Sequence, residues 1–305
     1  MSQDATIAPD WIAVDWGTST LRAFAMNVDG AVLAQARSEQ GMSSLAPDEF
    51  EPALRVLIAD WSLPNPCTVV ACGMVGSRQG WQEAPYRSVP CSAKSNAPIR
   101  VKNVGDDLEV WLIAGIKQSD PADVMRGEET QIAGFLALNP DWDGVLCLPG
   151  THCKWVHVSA GEIVSFRTFM TGELFDVISK NTVLRHSLEG TGSNDADFLN
   201  AVSDTLSRPE KFAANLFSLR AADLLNGQAP ASARAKLSGA LIGMELAAAK
   251  PYWLGQNIAL IGASTLCTFY KQALAQQGIN AALTDAASVT RAGLSATYKA
   301  LTRKS

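Results

Sequence analysis

The sequence predicts an α/β fold made of two similarly built domains, each with a mixed sheet and flanking helices. The chain has 305 residues, a length that suits two domains of about 150 residues each. Residues 11–36 follow the order strand, polar turn, strand, Asn/Asp/Gly turn, strand, and residues 145–169 repeat that order. Stretches with helical spacing of apolar residues follow both series. The repeated hairpin series therefore predicts two similar domains that face one cleft.

The composition excludes several classes of protein. Hydrophobic residues make up 47% of the chain and charged residues 18%, which is typical of a globular protein. The net charge of −5 argues against a nucleic-acid partner, because binding to a phosphate backbone needs clustered basic residues. No secretory leader or long apolar run is present, so we expect a cytoplasmic protein with no membrane partner. The six cysteines form no Cys-x-x-Cys pair and are expected to be buried thiols. The sequence does not indicate the oligomeric state.

The first polar turn carries groups that suit a phosphate. An apolar run ends in Asp15, and Gly17, Thr18, Ser19 and Thr20 follow. The glycine lets the backbone approach a ligand, and consecutive amides can form an anion-binding nest. A carboxylate at this point would need Mg²⁺ between itself and a phosphate. The alternative is an ordinary hairpin in which a buried aspartate holds the turn by local hydrogen bonds.

This turn is not a Walker loop, which reads Gly-x-x-x-x-Gly-Lys-Ser/Thr. It resembles the first phosphate loop of the sugar kinase, Hsp70 and actin superfamily, and that resemblance predicts a second Gly-Thr turn in the other half of the chain. Such a turn occurs at Gly150-Thr151, between two apolar runs. His152 could polarise a phosphate or be structural, and Lys154 follows it.

Two further loops leave buried strands and carry polar groups. The loop at 76–81 follows an apolar strand and contains Ser77, Arg78, Gln79 and Trp81. An arginine there would clamp a carboxylate, and an aromatic ring would cover an apolar face of a ligand. The alternative is a surface turn with an isolated arginine. Small residues at 262–264 lie between a strand and a helix, where an adenine or ribose could approach the backbone.

Two predicted helix starts are acidic. Glu128 and Glu129 follow Gly127, and Glu173 follows Thr171 and Gly172. Acidic residues are common in a first helical turn because the helix dipole favours them. For Glu128 and Glu129, Gly127 before them and Thr130-Gln131 after them raise the case for a functional role.

Four longer motifs identify a family. They are Cys72–Trp81, Met125–Gln131, Leu148–Trp155 and Phe169–Phe175. Together they resemble the 2-dehydro-3-deoxygalactonokinase family over about residues 11 to 300. The resemblance implies two ribonuclease-H-like domains, with mixed five-stranded sheets and flanking helices, facing an ATP/substrate cleft. It also implies transfer of the γ-phosphoryl group of ATP to the 6-hydroxyl of 2-dehydro-3-deoxy-D-galactonate.

The resemblance implies roles for individual residues of the chain. The residues expected to bind ATP are Gly17, Thr18, Ser19, Gly150, Thr151, Lys154, Gly262, Ala263 and Ser264. Those expected to bind the sugar acid are Gly76, Ser77, Arg78, Gln79, Trp81, Thr171 and Glu173. Asp15 is expected to orient Mg²⁺, and Arg78 to bind the substrate carboxylate. Lys154 or Arg22 could offset charge as the phosphoryl group moves.

The general base is left open between carboxylates. Superfamily sugar kinases generally use an aspartate, and no motif here specifies which one. The start of the Glu128-Glu129 helix also looks like the segment that carries the catalytic glutamate in exopolyphosphatases. We therefore favour Glu128 or Glu129, with Asp15 and Asp176 as lesser candidates. Alternatives are a kinase for a related 2-keto-3-deoxy sugar acid, an exopolyphosphatase-like hydrolase and a non-catalytic sugar sensor.

The predicted domains are a substrate-binding domain at 1–122 and an ATP-binding domain at 123–305, with the last helix returning to the first domain. Closure on substrate is expected to bring the 76–81 loop toward the 150–154 turn.

Overall fold

The structure is a computed structural model that describes residues 7–94 and 97–303. The strands, in chain order, are β1 (Trp11–Trp16), β2 (Leu21–Met26), β3 (Val32–Ser38), β4 (Cys67–Gly73), β5 (Arg87–Ser88), β6 (Cys91–Ser92), β7 (Ile99–Arg100), β8 (Leu108–Leu112), β9 (Ile116–Ser119), β10 (Ala122–Met125), β11 (Gly144–Leu148), β12 (Cys153–Ser159), β13 (Glu162–Phe169), β14 (Ile258–Gly262) and β15 (Ala282–Asp285). The α-helices are α1 (Phe50–Leu57), α2 (Glu128–Leu138), α3 (Thr171–Asn181), α4 (Asp195–Ser207), α5 (Phe212–Asn226), α6 (Pro230–Ala248), α7 (Lys250–Trp253), α8 (Ser264–Ala275) and α9 (Ala286–Thr302).

The chain divides into two compact units. Unit 1 contains the described residues up to Trp142, the segment Ser159–Val164 and the described residues from Ala286 onward. Unit 2 contains Asp143–Val158 and Ser165–Asp285. The sequence predicted a boundary after residue 122, which lies inside unit 1, and the last helix also belongs to unit 1.

The division falls later in the chain because α2 packs closely against α9. A Cβ atom on Gly134 would lie 1.8 Å from the carbonyl oxygen of Val289. One on Gly293 would lie 2.0 Å from the carbonyl oxygen of Thr130. Only glycine permits such an approach of two helix backbones, so Gly134 and Gly293 allow the contact that keeps α2 in unit 1.

The main sheet of unit 1 has the order β3-β2-β1-β4-β8-β7. The first three strands form antiparallel hairpins, and β4 runs parallel to both β1 and β8. Continuous apolar sequence makes β1 and β4 buried on both faces, as expected for central strands. Their carboxyl ends meet at one edge, where Asp15 lies opposite Cys72 and Trp16 opposite Gly73.

Unit 2 repeats this topology. Its strands have the order β15-β14-β11-β12-β13, in which β11, β12 and β13 form the hairpin series and β14 runs parallel to β11. The core of unit 2 is formed by this sheet and the helices on it, with Trp155, Phe198 and Tyr270 among the buried rings. The two mixed sheets confirm the predicted α/β fold, in which each unit has five longer strands in the same order.

Two local features were not identified from sequence. Residues 198–225 are divided between two helices, since α4 ends at Ser207 and α5 begins at Phe212. Pro209 begins a short 3-10 turn between them, because proline cannot donate the hydrogen bond that a continuous helix needs. Residues 116–125 form the antiparallel pair β9–β10, which the sequence analysis did not identify.

Among the described residues, no helix has both the length and the apolar character needed to cross a bilayer. The six cysteines are all free thiols, and five of them are buried.

Candidate active site

The first turn is held by backbone hydrogen bonds. The Gly17 amide donates to the Thr20 carbonyl at 2.9 Å, closing the turn between β1 and β2. The Met42 amide donates to the Gly17 carbonyl, and the Ser43 amide to the Thr18 carbonyl, each at 3.0 Å. Thr18 and Ser19 remain exposed. The turn therefore has a fixed backbone and presents its hydroxyls outward.

Asp15 and Arg22 form an ion pair at the base of this turn. They lie opposite each other in the β1–β2 register. The Asp15 side chain is 18% exposed and that of Arg22 is 43% exposed. The carboxylate is thus partly compensated, and the arginine that the sequence analysis considered for charge neutralisation is already bound to it.

Two glycines bring the start of α2 to the carboxyl ends of β1 and β4. Gly73 has a φ of +92°, and a Cβ there would lie 2.6 Å from the Trp16 carbonyl oxygen. Gly127 has a φ of +107°, and a Cβ there would lie 3.6 Å from the Cα of Gly73. A side chain at Gly73 would push its backbone away from Trp16, whereas at Gly127 the contact would be ordinary and the positive φ is what favours glycine. Local glycine content therefore places the Glu128-Glu129 helix start beside β4.

Cys72 lies between the two acidic regions of unit 1. Burial raises the pKa of the Cys72 thiol well above its usual range, and the charges of Asp15 and Glu129 raise it further. Both carboxylates therefore lie close to the end of β4. The structure brings together two of the residues that the sequence analysis considered for catalysis and metal binding.

Glu129 is buried, with 1% of its surface exposed. It accepts hydrogen bonds from the Gly127 amide at 2.7 Å and from the Thr130 hydroxyl at 3.1 Å. Burial, reinforced by the charge of Glu128, raises the pKa of Glu129 to about 7. A carboxyl group with such a pKa is suited to accept a proton near neutral pH. Glu128 is half-buried and accepts a hydrogen bond from the Arg126 amide at 3.1 Å.

The loop at 76–81 places its polar groups in different environments. Ser77 is buried, with 5% exposure, whereas the Arg78 side chain is 82% exposed and lies 3.9 Å from Glu83. Gln79 is exposed as well. The Trp81 ring stacks on Phe50 at 6.3 Å between centroids. Trp81 therefore packs against the core of unit 1, and its role in covering a ligand stays a prediction.

Arg126 packs against this loop, and the sequence analysis did not assign it a role. Its guanidinium lies 4.4 Å over the Tyr86 ring and donates to the Ala84 carbonyl at 2.8 Å. A Cβ on Gly76 would lie 3.0 Å from Arg126 Nη1. The glycine thus leaves room for the guanidinium, which braces the loop on the same side as the start of α2.

The second turn lies against the start of α3. Gly150 faces open space, and Thr151 and His152 are exposed. The Glu173 amide donates to the Thr151 carbonyl at 3.0 Å. A Cβ on Gly172 would lie 2.4 Å from the Gly150 carbonyl oxygen, so only glycine allows this contact.

The side chains after the second turn have partners within unit 2. His152 Nε2 lies 2.5 Å from the Glu173 carboxylate. Lys154 is buried, with 4% exposure, and its Nζ lies 3.5 Å from the His152 carbonyl. Thr171 donates to Glu245, a residue that the sequence analysis did not identify. Asp176 is exposed and paired with Lys180, one helical turn further along.

A cleft of about 230 Å³ opens beside the second turn. Its walls come from α3, α6, α8 and the 190–194 loop. The lining residues are Gly150, Thr171, Gly172, Phe175, Gly192, Ser193, Arg234, Ala235, Ser238, Leu241, Ile242, Leu266, Phe269 and Tyr270. Arg234 donates to the Leu188 carbonyl at 3.1 Å and lies 5.2 Å from the Phe175 ring. Apolar walls with a few polar groups suit a flat heteroaromatic ligand.

The predicted adenosine turn lies next to the second turn. A Cβ on Gly262 would lie 3.1 Å from the Pro149 carbonyl oxygen, and Ala263 and Ser264 are exposed. These three residues are not among those that line the cleft. The residues that do line it come from further along α8, namely Leu266, Phe269 and Tyr270.

A buried polar cluster lies beneath the cleft. Among the described residues, Cys147, Cys153 and Glu245 place their potential ligand atoms within 4.8 Å of one another. Burial raises the pKa of both thiols, and a metal would need them deprotonated. The Glu245 carboxylate already accepts hydrogen bonds from three side chains. We therefore interpret the cluster as a hydrogen-bonded core and not as a metal centre.

The residues that sequence analysis missed all lie on helices; they are Glu245, Arg234, Phe175 and Tyr270. The spacing of apolar residues along a helix predicts whether a position is buried or on the surface, but not whether it contributes to a site. A glutamate within the apolar run of α6 was the one available signal, since an acidic residue is rarely buried without partners.

Comparisons with known proteins show the family of the chain. The family model described as 2-keto-3-deoxy-galactonokinase matches residues 15–297. A Rhizobium meliloti protein described as probable 2-dehydro-3-deoxygalactonokinase DgoK1 is 41% identical over 302 residues, covering 97% of this chain and 99% of its own. The Escherichia coli 2-dehydro-3-deoxygalactonokinase is 37% identical over 275 residues, covering 88% of this chain and 90% of its own.

Solved structures show the same relationship. A crystal structure of a candidate 2-dehydro-3-deoxygalactonokinase from Sinorhizobium meliloti has a TM-score of 0.90 at 41% identity, covering 95% of this chain and 99% of that chain. The activator of the 2-hydroxyisocaproyl-CoA dehydratase from Clostridium difficile has a TM-score of 0.53 at 12% identity, covering 97% of each chain, and so shares the fold alone. The neighbouring folds are those of actin-like ATPases and sugar kinases. The chain belongs to the 2-keto-3-deoxy-galactonokinase family.

Proposed function

We propose that this protein transfers the γ-phosphoryl group of ATP to the 6-hydroxyl of 2-dehydro-3-deoxy-D-galactonate, giving 2-dehydro-3-deoxy-6-phosphogalactonate in galactonate and galactose catabolism. The observation that carries the proposal is the family match over residues 15–297, which includes both Gly-Thr turns. The buried Glu129 and the apolar cleft of unit 2 support it, because a kinase needs a proton acceptor and a nucleotide site. Since its co-substrate is intracellular ATP, we assign the enzyme to the cytoplasm.

Unit 2 supplies the nucleotide site in this proposal. The adenine enters the cleft between Phe175, Leu266 and Phe269, and the phosphates lie along Gly150 and Thr151. Gly150 has no atom within 4 Å of the position of a Cβ, so a phosphate can approach its backbone closely. Lys154 lies behind the turn and stabilises its backbone through the His152 carbonyl. Gly262, Ala263 and Ser264 close the phosphate end of the site.

Mg²⁺ fits the acidic edge of unit 1. Asp15 lies opposite Cys72 at the end of β4, and the charges of Asp15 and Glu129 both raise the pKa of that thiol. Carboxylate oxygens are the ligands that Mg²⁺ prefers. Asp15 would hold the ion, which neutralises phosphate charge when bound. The hydroxyls and amides of Gly17, Thr18 and Ser19 would bind the phosphate oxygens beside it.

The sugar acid belongs to unit 1. Arg78 is exposed and can move onto the substrate carboxylate, with Gln79 beside it and Ser77 and Gly76 forming the backbone of the loop. The edge of Trp81 covers the apolar face of the carbon chain. Thr171 and Glu173, which the sequence analysis assigned to the sugar acid, lie in unit 2, where Thr171 donates to Glu245 and Glu173 contacts His152.

Glu129 is the general base of this proposal. Its raised pKa, to about 7, lets it take the proton of the 6-hydroxyl at neutral pH. Glu128 lies on the same helical turn and accepts a hydrogen bond from the Arg126 amide. Asp15 is paired with Arg22, and Asp176 with Lys180, so neither is as well placed to accept a proton.

The test is ADP release with Mg·ATP against a panel of acceptors. The panel contains 2-dehydro-3-deoxygalactonate, its gluconate epimer, galactonate, glucose, glycerol and polyphosphate. Turnover confined to the two 2-dehydro-3-deoxy acids, with the galactonate form preferred, supports the proposal. Hydrolysis of polyphosphate without sugar-acid turnover would show an exopolyphosphatase-like enzyme instead.

A further inference from the structure

Glu245 is a buried acidic residue that no part of the proposed reaction uses. It lies on α6, and 2% of its surface is exposed. Its Oε1 accepts a hydrogen bond from Trp155 Nε1 at 2.7 Å, and its Oε2 accepts one from the Tyr270 hydroxyl at 2.7 Å. The Thr171 hydroxyl also donates to Oε2. Three protein donors satisfy this enclosed carboxyl group, as the burial of a polar group requires.

The three donors come from three elements that border the nucleotide site. Trp155 lies on β12, directly after the second turn. Thr171 begins α3, whose next residue, Gly172, touches the backbone of Gly150. Tyr270 lies on α8, and both it and Thr171 line the cleft. One carboxylate therefore connects the second turn with two opposite walls of the cleft.

The chemistry of the donors determines what this position requires. The indole of Trp155 can only donate, so the atom that faces it must be an acceptor. The hydroxyls of Thr171 and Tyr270 can donate or accept. A glutamine at 245 could thus keep all three contacts, with its amide oxygen toward the indole and its NH₂ toward the hydroxyls. A leucine would keep the volume and lose every contact.

We propose that Glu245 is a positioning residue for the nucleotide, which sets the spacing between the second turn and the adenine cleft through its bonds to Trp155, Thr171 and Tyr270. This inference rests on the proposed function, because it assigns the cleft to ATP. The role depends on the pattern of acceptors and not on the negative charge. It applies to ATP and ADP alone, since every element that Glu245 touches belongs to unit 2.

The variants follow from this reasoning. Glu245→Leu removes the acceptors, and Glu245→Gln keeps them without the charge. Tyr270→Phe removes one donor and leaves the carboxylate. Val202→Ala is the matched control, because Val202 is fully buried in the same core but lines neither the cleft nor the carboxylate. It is expected to destabilise unit 2 without altering the spacing.

The experiment measures the Kd of ADP by calorimetry and the KM values of ATP and of the sugar acid, with the melting temperature recorded for each variant. We expect Glu245→Leu to raise the Kd of ADP and the KM of ATP about tenfold or more, which equals the loss of one or two good hydrogen bonds. The KM of the sugar acid should stay within about twofold of wild type. Glu245→Gln and Val202→Ala should bind ADP as wild type does, and Tyr270→Phe should weaken binding about threefold.

Two results would overturn the inference. One is wild-type ADP binding by Glu245→Leu or, where that variant does not fold, by Tyr270→Phe. The other is equal weakening by Val202→Ala, which would show a general effect of stability. If the wild-type protein neither binds ADP nor phosphorylates a sugar acid, the proposed function fails and this inference fails with it. A wild type that does both, with an unaffected Glu245→Leu, removes the inference alone.

Discussion

The two Gly-Thr turns occupy the same place in two sheets of the same order, but the residue pair at their base differs. In unit 1, Asp15 on β1 lies opposite Arg22 on β2, and the two form an ion pair. In unit 2, Leu148 on β11 lies opposite Lys154 on β12. Both turns keep the basic residue, and only the first has the carboxylate.

The surroundings extend this difference. Unit 1 adds Glu128 and Glu129 near the first turn, while unit 2 adds an apolar cleft beside the second. In the proposed function, one hairpin scaffold thus carries acid–base and metal chemistry in unit 1 and nucleotide binding in unit 2. The comparison teaches that strand order sets where a turn lies and that a few side chains at the base of the turn set its chemistry.

The strongest test of this division is the base in unit 1. Glu129→Gln keeps the hydrogen bond from the Gly127 amide but cannot accept a proton, so we expect kcat to fall about 10²- to 10⁴-fold with little change in either KM. The wild-type kcat should also fall as the pH drops below about 7, where Glu129 becomes protonated. Steady-state kinetics with both substrates from pH 5 to 9 measures these effects. Glu128→Gln is the matched control, and a larger loss in that variant would move the base to Glu128.

The residue pair at the base of the first turn gives the second test. We expect Asp15→Asn to lower kcat about 100-fold and to raise the Mg²⁺ concentration that gives half-maximal rate, because a neutral amide is a poor ligand for this ion. Initial rates across a Mg²⁺ titration measure both effects. Asp29→Asn, at the exposed end of the same hairpin series, controls for the loss of one negative charge. An unchanged Mg²⁺ requirement in Asp15→Asn would contradict the assignment.

The substrate loop gives a third and smaller effect. Arg78→Ala should raise the KM of the sugar acid about 10- to 100-fold and leave the KM of ATP unchanged, because a charge-assisted hydrogen bond is worth about 1.5–3 kcal/mol. Arg37→Ala is the control, since Arg37 is another exposed arginine of unit 1 that pairs with a glutamate. Equal KM values for Arg78→Ala and wild type would leave Arg126 as the arginine to test next.

The fold could be predicted because its signals are local. Alternation of apolar runs with Asn/Asp/Gly turns marks each hairpin, and two such series give two sheets. The break between α4 and α5 also has a local signal, which is Pro209. The boundary at Trp142 has none, because it depends on contact between α2 and α9, which are distant in sequence.

The site could be predicted only in part, for the same reason. Glycines and acidic residues next to strand ends marked Asp15, Gly17, Glu129 and Gly150. The burial that raises the pKa of Glu129 and the donors around Glu245 arise from tertiary packing, which a single sequence does not display. Trp81 shows the converse, because a motif residue that suited a ligand also packs on Phe50.

A fourth prediction compares one glycine from each unit. Gly73→Ala brings a Cβ within 2.6 Å of the Trp16 carbonyl at a positive φ, and Gly172→Ala brings one within 2.4 Å of the Gly150 carbonyl. We expect Gly73→Ala to lower kcat and to raise the KM of the sugar acid. We expect Gly172→Ala to raise the KM of ATP about tenfold or less. Kinetics with each substrate varied in turn measures this. Identical effects of the two variants would show that the turns do not act separately.

The smallest expected effect concerns stability in unit 1. The pKa of Glu129 lies at about 7 in the folded protein, against a usual value of 4.5. Below pH 4.5 the group is protonated in both the folded and the unfolded state, and its burial then carries no charge penalty. As the pH rises to about 7, the unfolded state loses its proton first, so the free energy of unfolding falls by up to about 1.4 kcal/mol per pH unit.

Glu129→Gln cannot ionise and escapes this loss. Thermal unfolding should therefore show Glu129→Gln matching wild type at pH 4.5 and exceeding it at pH 8, with Glu128→Gln as the control for a lost acidic charge. The variant that loses the most activity would then be the more stable protein at neutral pH, which is the trade-off expected where a buried base is kept for catalysis. If Glu129→Gln is no more stable than wild type at pH 8, the carboxyl group is not held in the environment that this assignment requires.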